Sequence, residues 1–513
     1  VSKAGFEEAG DAHSTDAEFK PAFTLMAARA AAFAITFLTP IVLVRLFTQE
    51  EFGTYKQFLL VTYTFFSIAQ IGFSESLFYF LPKRPDCAGR FVLNSLLILL
   101  LSGAVCMAGL VMNTGRIAEW MSNAALAGYV PVIGAYLLFM LMGTVLEITM
   151  ISLKRYKLAA GAYVASDLLR AIFLVVPALI TRSLLWALVA SVVFLILRVG
   201  AMVAYFRSEF GAGLRFDRVL LKEQWTYAVP FALTGLLYVI QQNYHQYVVA
   251  YHFDAATFAI YSVGCLQIPL VDFVATPASN VMMIQMTEEL RDRGARRLLP
   301  IWHNTTRKLA LMLFPFTGLL VVNAYQLITF LFTQAYATSV PIFVVWCLSI
   351  LLTAFQTDGV LRVFAEMRFL FGINITRLIL LVLTMSWFLS RFHLLGAVLI
   401  TIVGMLLAKI MAFIRMKALL ETTIGELLPW KSLAGTLAAA TAAAAPAVFL
   451  NVKLNLPAIV LLPLSGLAYT ATYVALVLIF GLLNRHEIDA IKRILYVWNR
   501  GSVQSAGEAR IGS

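Results

Sequence analysis

Residues Leu43 to Tyr55 read L-V-R-L-F-T-Q-E-E-F-G-T-Y. The polar corner from Thr48 to Gly53 separates an apolar run over 23–47 from a second over 54–81. Each run exceeds the roughly 20 residues that cross a bilayer at about 1.5 Å per residue. The pair is therefore read as a helical hairpin that crosses a membrane twice. Arg29 lies inside the first run, where an ionised side chain is costly and needs a reason.

The rest of the chain follows the hairpin. Hydrophobic residues make up 61% of the 513 and charged residues only 13%, with a mean hydropathy of +0.85, which places the chain among polytopic membrane proteins. The net charge of +12 is assigned to cytoplasmic loops rather than to nucleic acid. Cys87, Cys106, Cys265 and Cys347 lie far apart with no C-x-x-C spacing, so neither a disulfide framework nor a metal site is expected. The polar, acidic segment up to Lys20 lacks the basic region of a signal peptide, so the first span is expected to be retained.

Apolar runs broken by polar stretches predict about fourteen transmembrane helices and an all-α fold. They lie near 23–47, 54–81, 91–112, 125–153, 159–181, 184–206, 225–252, 256–287, 304–323, 338–365, 369–390, 394–416, 432–450 and 456–484. With the N-terminus inside, the inner loops hold clusters such as Lys83, Arg84 and Arg90, or Arg291, Arg293, Arg296 and Arg297. Outer loops hold about one basic residue each. Both termini are expected in the cytoplasm. No outer loop is long enough to carry the chemistry of a glycosyltransferase or polymerase. There is no G-x-x-x-x-G-K-[ST], no H-E-x-x-H and no nucleophile–base set. A transporter, not an enzyme, is expected, with no cofactor beyond a coupling proton or sodium ion.

The corner recurs. A shift of 206 residues places Val42, Phe47, Phe52 and Tyr55 on Val248, Phe253, Phe258 and Tyr261, with Thr48 on Asp254. This predicts two six-helix lobes around a central cavity, related by an axis along the membrane normal. The expected organisation is a cytoplasmic tail over 1–22, an N-lobe over 23–206 and a linker over 207–224. A C-lobe over 225–420, two extra helices over 421–484 and an amphipathic helix and tail over 485–513 follow. His486 to Arg500 places Ile488, Ile491, Ile494 and Leu495 on one face, as an interfacial anchor does.

R-L-F-T-Q-E-E-F-G-T-Y resembles the R-x-L-G-x-x-x-[FY]-G-x-Y corner of polysaccharide flippases of the multidrug/oligosaccharidyl-lipid/polysaccharide exporter superfamily. Arg45, Phe52, Gly53 and Tyr55 match it, while Phe47 and Thr48 depart from it. The resemblance implies transfer of a polyprenyl-diphosphate-linked oligosaccharide from the inner to the outer leaflet. It further implies a bacterial cytoplasmic membrane and, as partners, the lipid bilayer and polysaccharide polymerase and export machinery. The rival within the fold is a cation-coupled multidrug exporter. Such exporters generally carry an acid in the first span, where this chain has Arg29.

Five basic residues fall within spans: Arg29, Arg170, Arg198, Arg377 and Lys409. Arginine binds phosphate oxygens bidentately, so Arg29 and Arg377 are expected to hold the diphosphate. Arg198 and Lys409, near span ends, are expected to snorkel to the headgroups. Arg170 has Asp167 three residues earlier, so it is either ion-paired or a substrate contact. Glu75, Glu147 and Asp358 lie close to inner ends and are read as solvated. Asp272, between Pro269 and Pro277 near mid-span, is either an ion-coupling carboxyl or a neutral group bonded to backbone. Gln241, Gln242, Asn243 and His245 in the seventh span either meet sugar hydroxyls or bond neighbouring helices.

Overall fold

Thr48 starts the second helix through a capping box. In the computed structural model, which describes residues 34–483 and Glu487, its hydroxyl accepts from the Glu51 amide at 3.2 Å. The Glu51 carboxylate accepts from the Thr48 amide at 3.0 Å in return. Helix α1 (Ala34–Leu43) ends before this cap and α2 (Gln49–Ala69) begins after it. The corner thus closes by Thr48, earlier than the expected Gly53, because Gln49 to Gly53 form a polar first turn of α2 outside the apolar run. Arg29 and the N-terminal tail lie outside the described residues, as does the C-terminal amphipathic helix apart from Glu487.

The chain continues as α3 (Phe73–Lys83), α4 (Ala88–Met112), α5 (Thr114–Trp120), α6 (Val130–Ser152), α7 (Tyr156–Thr181) and α8 (Leu184–Phe210). Next come α9 (Arg218–His252), α10 (Ala255–Gly264), α11 (Pro269–Arg293), α12 (Leu299–Val322), α13 (Ala324–Phe332), α14 (Val340–Thr353) and α15 (Thr357–Val363). The last are α16 (Met367–Leu419), α17 (Ile424–Leu427), α18 (Trp430–Ala442), α19 (Ala444–Lys453) and α20 (Ala458–Ile479). No strand occurs among the described residues.

Nine of the described helical segments are long and apolar enough to cross a membrane, or eleven when two bent pairs are counted. The expected fourteen is not reached in that count, for physical reasons. Helix α9 carries Arg218, Lys222, Glu223 and a run of amides, and is not among the nine. Helix α16 counts once although its 53 residues span about 80 Å at 1.5 Å each, far beyond one bilayer. His393 breaks it at φ 50° and ψ −139°. A Cβ on Gly396 would lie 2.0 Å from the Phe388 carbonyl oxygen, and Gly404 sits against the stem of Arg377, so the two halves double back on each other.

Both corners of the 206-residue shift start a helix in the same way. Asp254 caps α10 by accepting from the Thr257 amide at 3.0 Å. Its backbone, at φ −68° and ψ 170°, matches Thr48 at φ −66° and ψ 165°. A second correspondence, at a shift of 210, was not visible in the helix periodicity. Asn113 and Asn323 each cap a helix by donating to the carbonyl four residues back, Gly109 and Leu319. A 3-10 turn then leads into a helix opening Val-Pro, at Val130-Pro131 and at Val340-Pro341. Replacing either cap by alanine, Thr48→Ala or Asp254→Ala, is expected to cost about 1 kcal/mol of helix stability. Denaturant titration of the purified variants checks this, and an unchanged midpoint would remove the cap from the argument.

The chain forms two compact units by contact. Among the described residues the first comprises 34–267 with 331–342 and 374–404; the second comprises 268–330, 343–373, 405–483 and Glu487. In the second unit, Trp302 donates to the Leu427 carbonyl at 2.8 Å and Tyr473 to that of Leu311 at 2.9 Å. These bonds hold α20 and the short α17 against α12. Arg307 binds Glu487 at 3.0 Å in the same unit.

Candidate functional site

Helix α7 places Arg170 fourteen residues from its first residue, about 21 Å along the axis. That is deeper than the apolar run suggested, because α7 starts at Tyr156. The guanidinium pairs with Asp167 one turn back and donates to the Thr36 hydroxyl at 3.3 Å. Of the two readings of Arg170 left open by the sequence, the ion pair is present, and it lines two cavities of the first unit. One is a slot of about 40 Å³ lined by Thr36, Tyr55, Tyr63, Tyr136, Asp167 and Arg170. The other, of about 280 Å³, shares Asp167 and Arg170 and extends to Gln70, Glu147, Tyr163 and Arg198.

Tyr55 is the last residue of the opening corner, so the motif reaches this site directly. Tyr136 is fixed by an edge contact with Phe58 at 5.4 Å between centroids. Tyr55, Tyr63 and Tyr136 share the lining of this slot with the arginine.

Arg198 and Glu147 depart from the sequence reading. Arg198 does not snorkel: its Nη2 donates to Glu147 at 2.6 Å and to the Gly143 carbonyl at 3.3 Å. Glu147 is not solvated either, being only 3% exposed. Helices α6 and α8 pack closely, and each supplies the countercharge that water would otherwise supply. Lys409 is likewise engaged. Its ammonium donates to the Phe355 carbonyl at 2.7 Å and the Thr357 hydroxyl at 3.1 Å, filling the break between α14 and α15.

The amides of α9 are held by neighbouring backbone and side chains. Gln241 donates to the Asn374 carbonyl, and Asn243 donates to the Thr64 hydroxyl at 3.0 Å. His245 bonds the Tyr261 hydroxyl at 2.7 Å, and Arg377 lies close enough to interact with it electrostatically. Gln242 lies half-buried on the same helix. Asp272 lies in the first turn of α11, after the break following α10, where the positive end of the helix dipole favours a carboxylate. It is a helix start at the break inside a bent span, since α10 and α11 together are long and apolar enough to cross a membrane. Among the described residues no group of three or more metal-ligating side chains converges.

Arg45 of the corner, by contrast, reaches the end of α13. It donates to the Leu331 carbonyl at 2.7 Å, and Gln49 donates to that of Ala335 at 2.7 Å. Tyr251, 206 residues after Arg45, makes the matching contact, its carbonyl accepting from Ser122 at 2.5 Å. Sequence reasoning missed these roles because each partner is far away along the chain.

Comparison with known proteins agrees with this geometry. The polysaccharide biosynthesis protein family matches residues 42–341, more than half of the chain. No curated protein sequence matches. Among solved structures, the chain is similar to the lipid II flippase MurJ in an inward closed conformation. Identity is 10%, covering 88% of this chain and 98% of that one, with a TM-score of 0.65. It is also similar to a MOP superfamily transporter from Pyrococcus furiosus, at 13% identity, 78% and 95% coverage and a TM-score of 0.51. An outward-facing multidrug resistance MATE family transporter of the same superfamily gives 13%, 78%, 96% and 0.53. At these identities the likeness is one of fold.

Proposed function

The chain belongs to the polysaccharide biosynthesis protein family, and from that premise we propose that it flips a polyprenyl-diphosphate-linked oligosaccharide from the inner to the outer leaflet. The observation that carries this reading is a polar, charged cavity inside a bundle of membrane helices, reached by the tyrosine of the opening corner. Such a lining is costly in a bilayer and is retained where a polar headgroup must pass.

In this reading the diphosphate meets Arg29 and Arg377, the polyprenyl chain stays in lipid, and rocking of two six-helix lobes alternates access. Gln241, Asn243 and His245 order α9 within the bundle rather than grip the headgroup. The membrane is the bacterial cytoplasmic membrane with both termini inside, and the product feeds a polysaccharide polymerase. A diphosphate with about two negative charges gains roughly 4–5 kcal/mol on leaving an interior at −100 mV. The membrane potential therefore suffices as a driving force. A coupling ion, where one is used, is assigned to Asp272.

The test is flipping of fluorescent undecaprenyl-diphosphate oligosaccharide in proteoliposomes, with the potential imposed in either direction. Wild type is expected to flip, faster with the donor side negative, and Arg29→Ala to bind substrate about ten- to a hundredfold more weakly. Arg29→Lys recovers this only in part, because a point charge lacks the bidentate fork. Asp272→Asn is expected to remove any dependence of the rate on pH. Absence of flipping under both polarities, or transport of ethidium instead, would sink the proposal.

A further inference from the structure

The larger cavity of the first unit has hydrogen-bonding capacity that the protein leaves unused. Glu147 and Asp167 each bond an arginine through one carboxylate oxygen, and neither second oxygen accepts a hydrogen bond among the described residues. Arg198 Nε is buried without a partner. The Gln70 amide and the Ser166 hydroxyl, both lining the same space, make no side-chain hydrogen bond among the described residues. Inside a bilayer each unmet polar group costs several kcal/mol, so this space is built around something that supplies both donors and acceptors.

Charge narrows the choice. Asp167 and Glu147 cancel Arg170 and Arg198, so the cavity is neutral as it stands. A diphosphate entering it would face two carboxylates already holding the arginines. A neutral polyhydroxyl compound would not. Its hydroxyls donate to the open carboxylate oxygens and accept from the Gln70 amide. Phe66 and Phe194, also in the wall, suit the apolar face of a pyranose ring. At about 280 Å³ the space falls just below the usual range of small-molecule sites, which fits one ring with its waters rather than a whole repeat unit.

We propose that this cavity, between α6, α7 and α8, is a sugar subsite that takes one neutral hexose-type ring of the transported glycan, apart from the diphosphate contacts. The subsite rests on the flippase reading for its role in transport, but its chemistry is testable without it.

The experiment uses the full chain with its four cysteines replaced and Ser166→Cys introduced. The rate of alkylation of that thiol by a small reagent is read with free glucose, galactose, mannose, N-acetylglucosamine or pyrophosphate at saturating concentration. At least one hexose is expected to slow the reaction about tenfold, and pyrophosphate to leave it unchanged. The double variant Glu147→Gln/Arg198→Gln should lose the protection. Gln70→Leu, which breaks no bond, should weaken it and serves if the double variant does not fold. Protection by pyrophosphate alone, by no sugar, or no labelling at all overturns the subsite, the middle result meaning that the cavity holds water only. If hexoses protect while no lipid-linked oligosaccharide is flipped, the subsite stands and the flippase reading fails.

Discussion

Gly53→Ala is expected to destabilise the folded chain by more than about 3 kcal/mol, beyond the usual range for overpacking. A Cβ on Gly53 would lie 1.8 Å from the Ala255 carbonyl oxygen. The obstacle is backbone in the first turn of α10, held by the Asp254 cap, so it cannot rotate aside as a side chain would. The glycine of the corner is therefore needed because α2 and α10 cross there with their backbones nearly touching. Two controls make the test specific. Gly109→Ala in α4, with open space around its Cβ, should be neutral or stabilising by up to about 1 kcal/mol. Ala255→Gly should fail to rescue Gly53→Ala, since removing a side chain leaves the carbonyl in place. Denaturation in detergent measures all four proteins. Wild-type stability for Gly53→Ala would mean that the two helices do not meet at this point.

The elements that repeat locally were legible in the sequence, and those that depend on partners were not. Apolar run length located the long helices between α2 and α20 but not the short α5, α13 and α17, because burial in lipid imposes a minimum length that short windows reveal. Their ends ran past the apolar runs, as at Gln49 and Tyr156, because helices continue into the headgroup region where polarity no longer marks them. The corner was legible as a repeat because Thr48 and Asp254 do the same local work, capping a helix. The second repeat escaped notice because its marker residues, Asn113 and Pro131, recur amid apolar residues most of which vary. The partners of charged residues were harder still. Arg198 read alone looks like a snorkelling residue near a helix end, and its partner is 51 residues earlier. Lys409 meets the Phe355 carbonyl 54 residues away, which no spacing rule on one helix predicts. Aspartate three residues before Arg170 was visible because both sit on one helix face.

That contrast leads to the second large effect. Glu147→Ala is expected to cost about 3–5 kcal/mol, because it leaves the Arg198 charge without its partner in a site the bilayer shields from water. The Arg198 side chain is 19% exposed and that of Glu147 4%, so solvent cannot replace the lost carboxylate. The pair Arg155–Glu209 supplies the comparison, since Arg155 is 47% exposed and water takes over when Glu209 is removed. Glu209→Ala should cost no more than about 1 kcal/mol. Replacing both partners in the deeper pair, Glu147→Leu with Arg198→Met, should recover most of the loss, since neither charge then needs compensation. A double-mutant cycle on denaturation midpoints measures the coupling directly. If Glu147→Ala costs no more than Glu209→Ala, water reaches the pair and it does not organise the bundle. If the double replacement restores stability while hexose protection at position 166 is gone, the Glu147–Arg198 pair is kept for the ligand, not for the fold. An apolar pair would hold α6 to α8 as well, but it could not accept a hydroxyl from a ligand in the cavity.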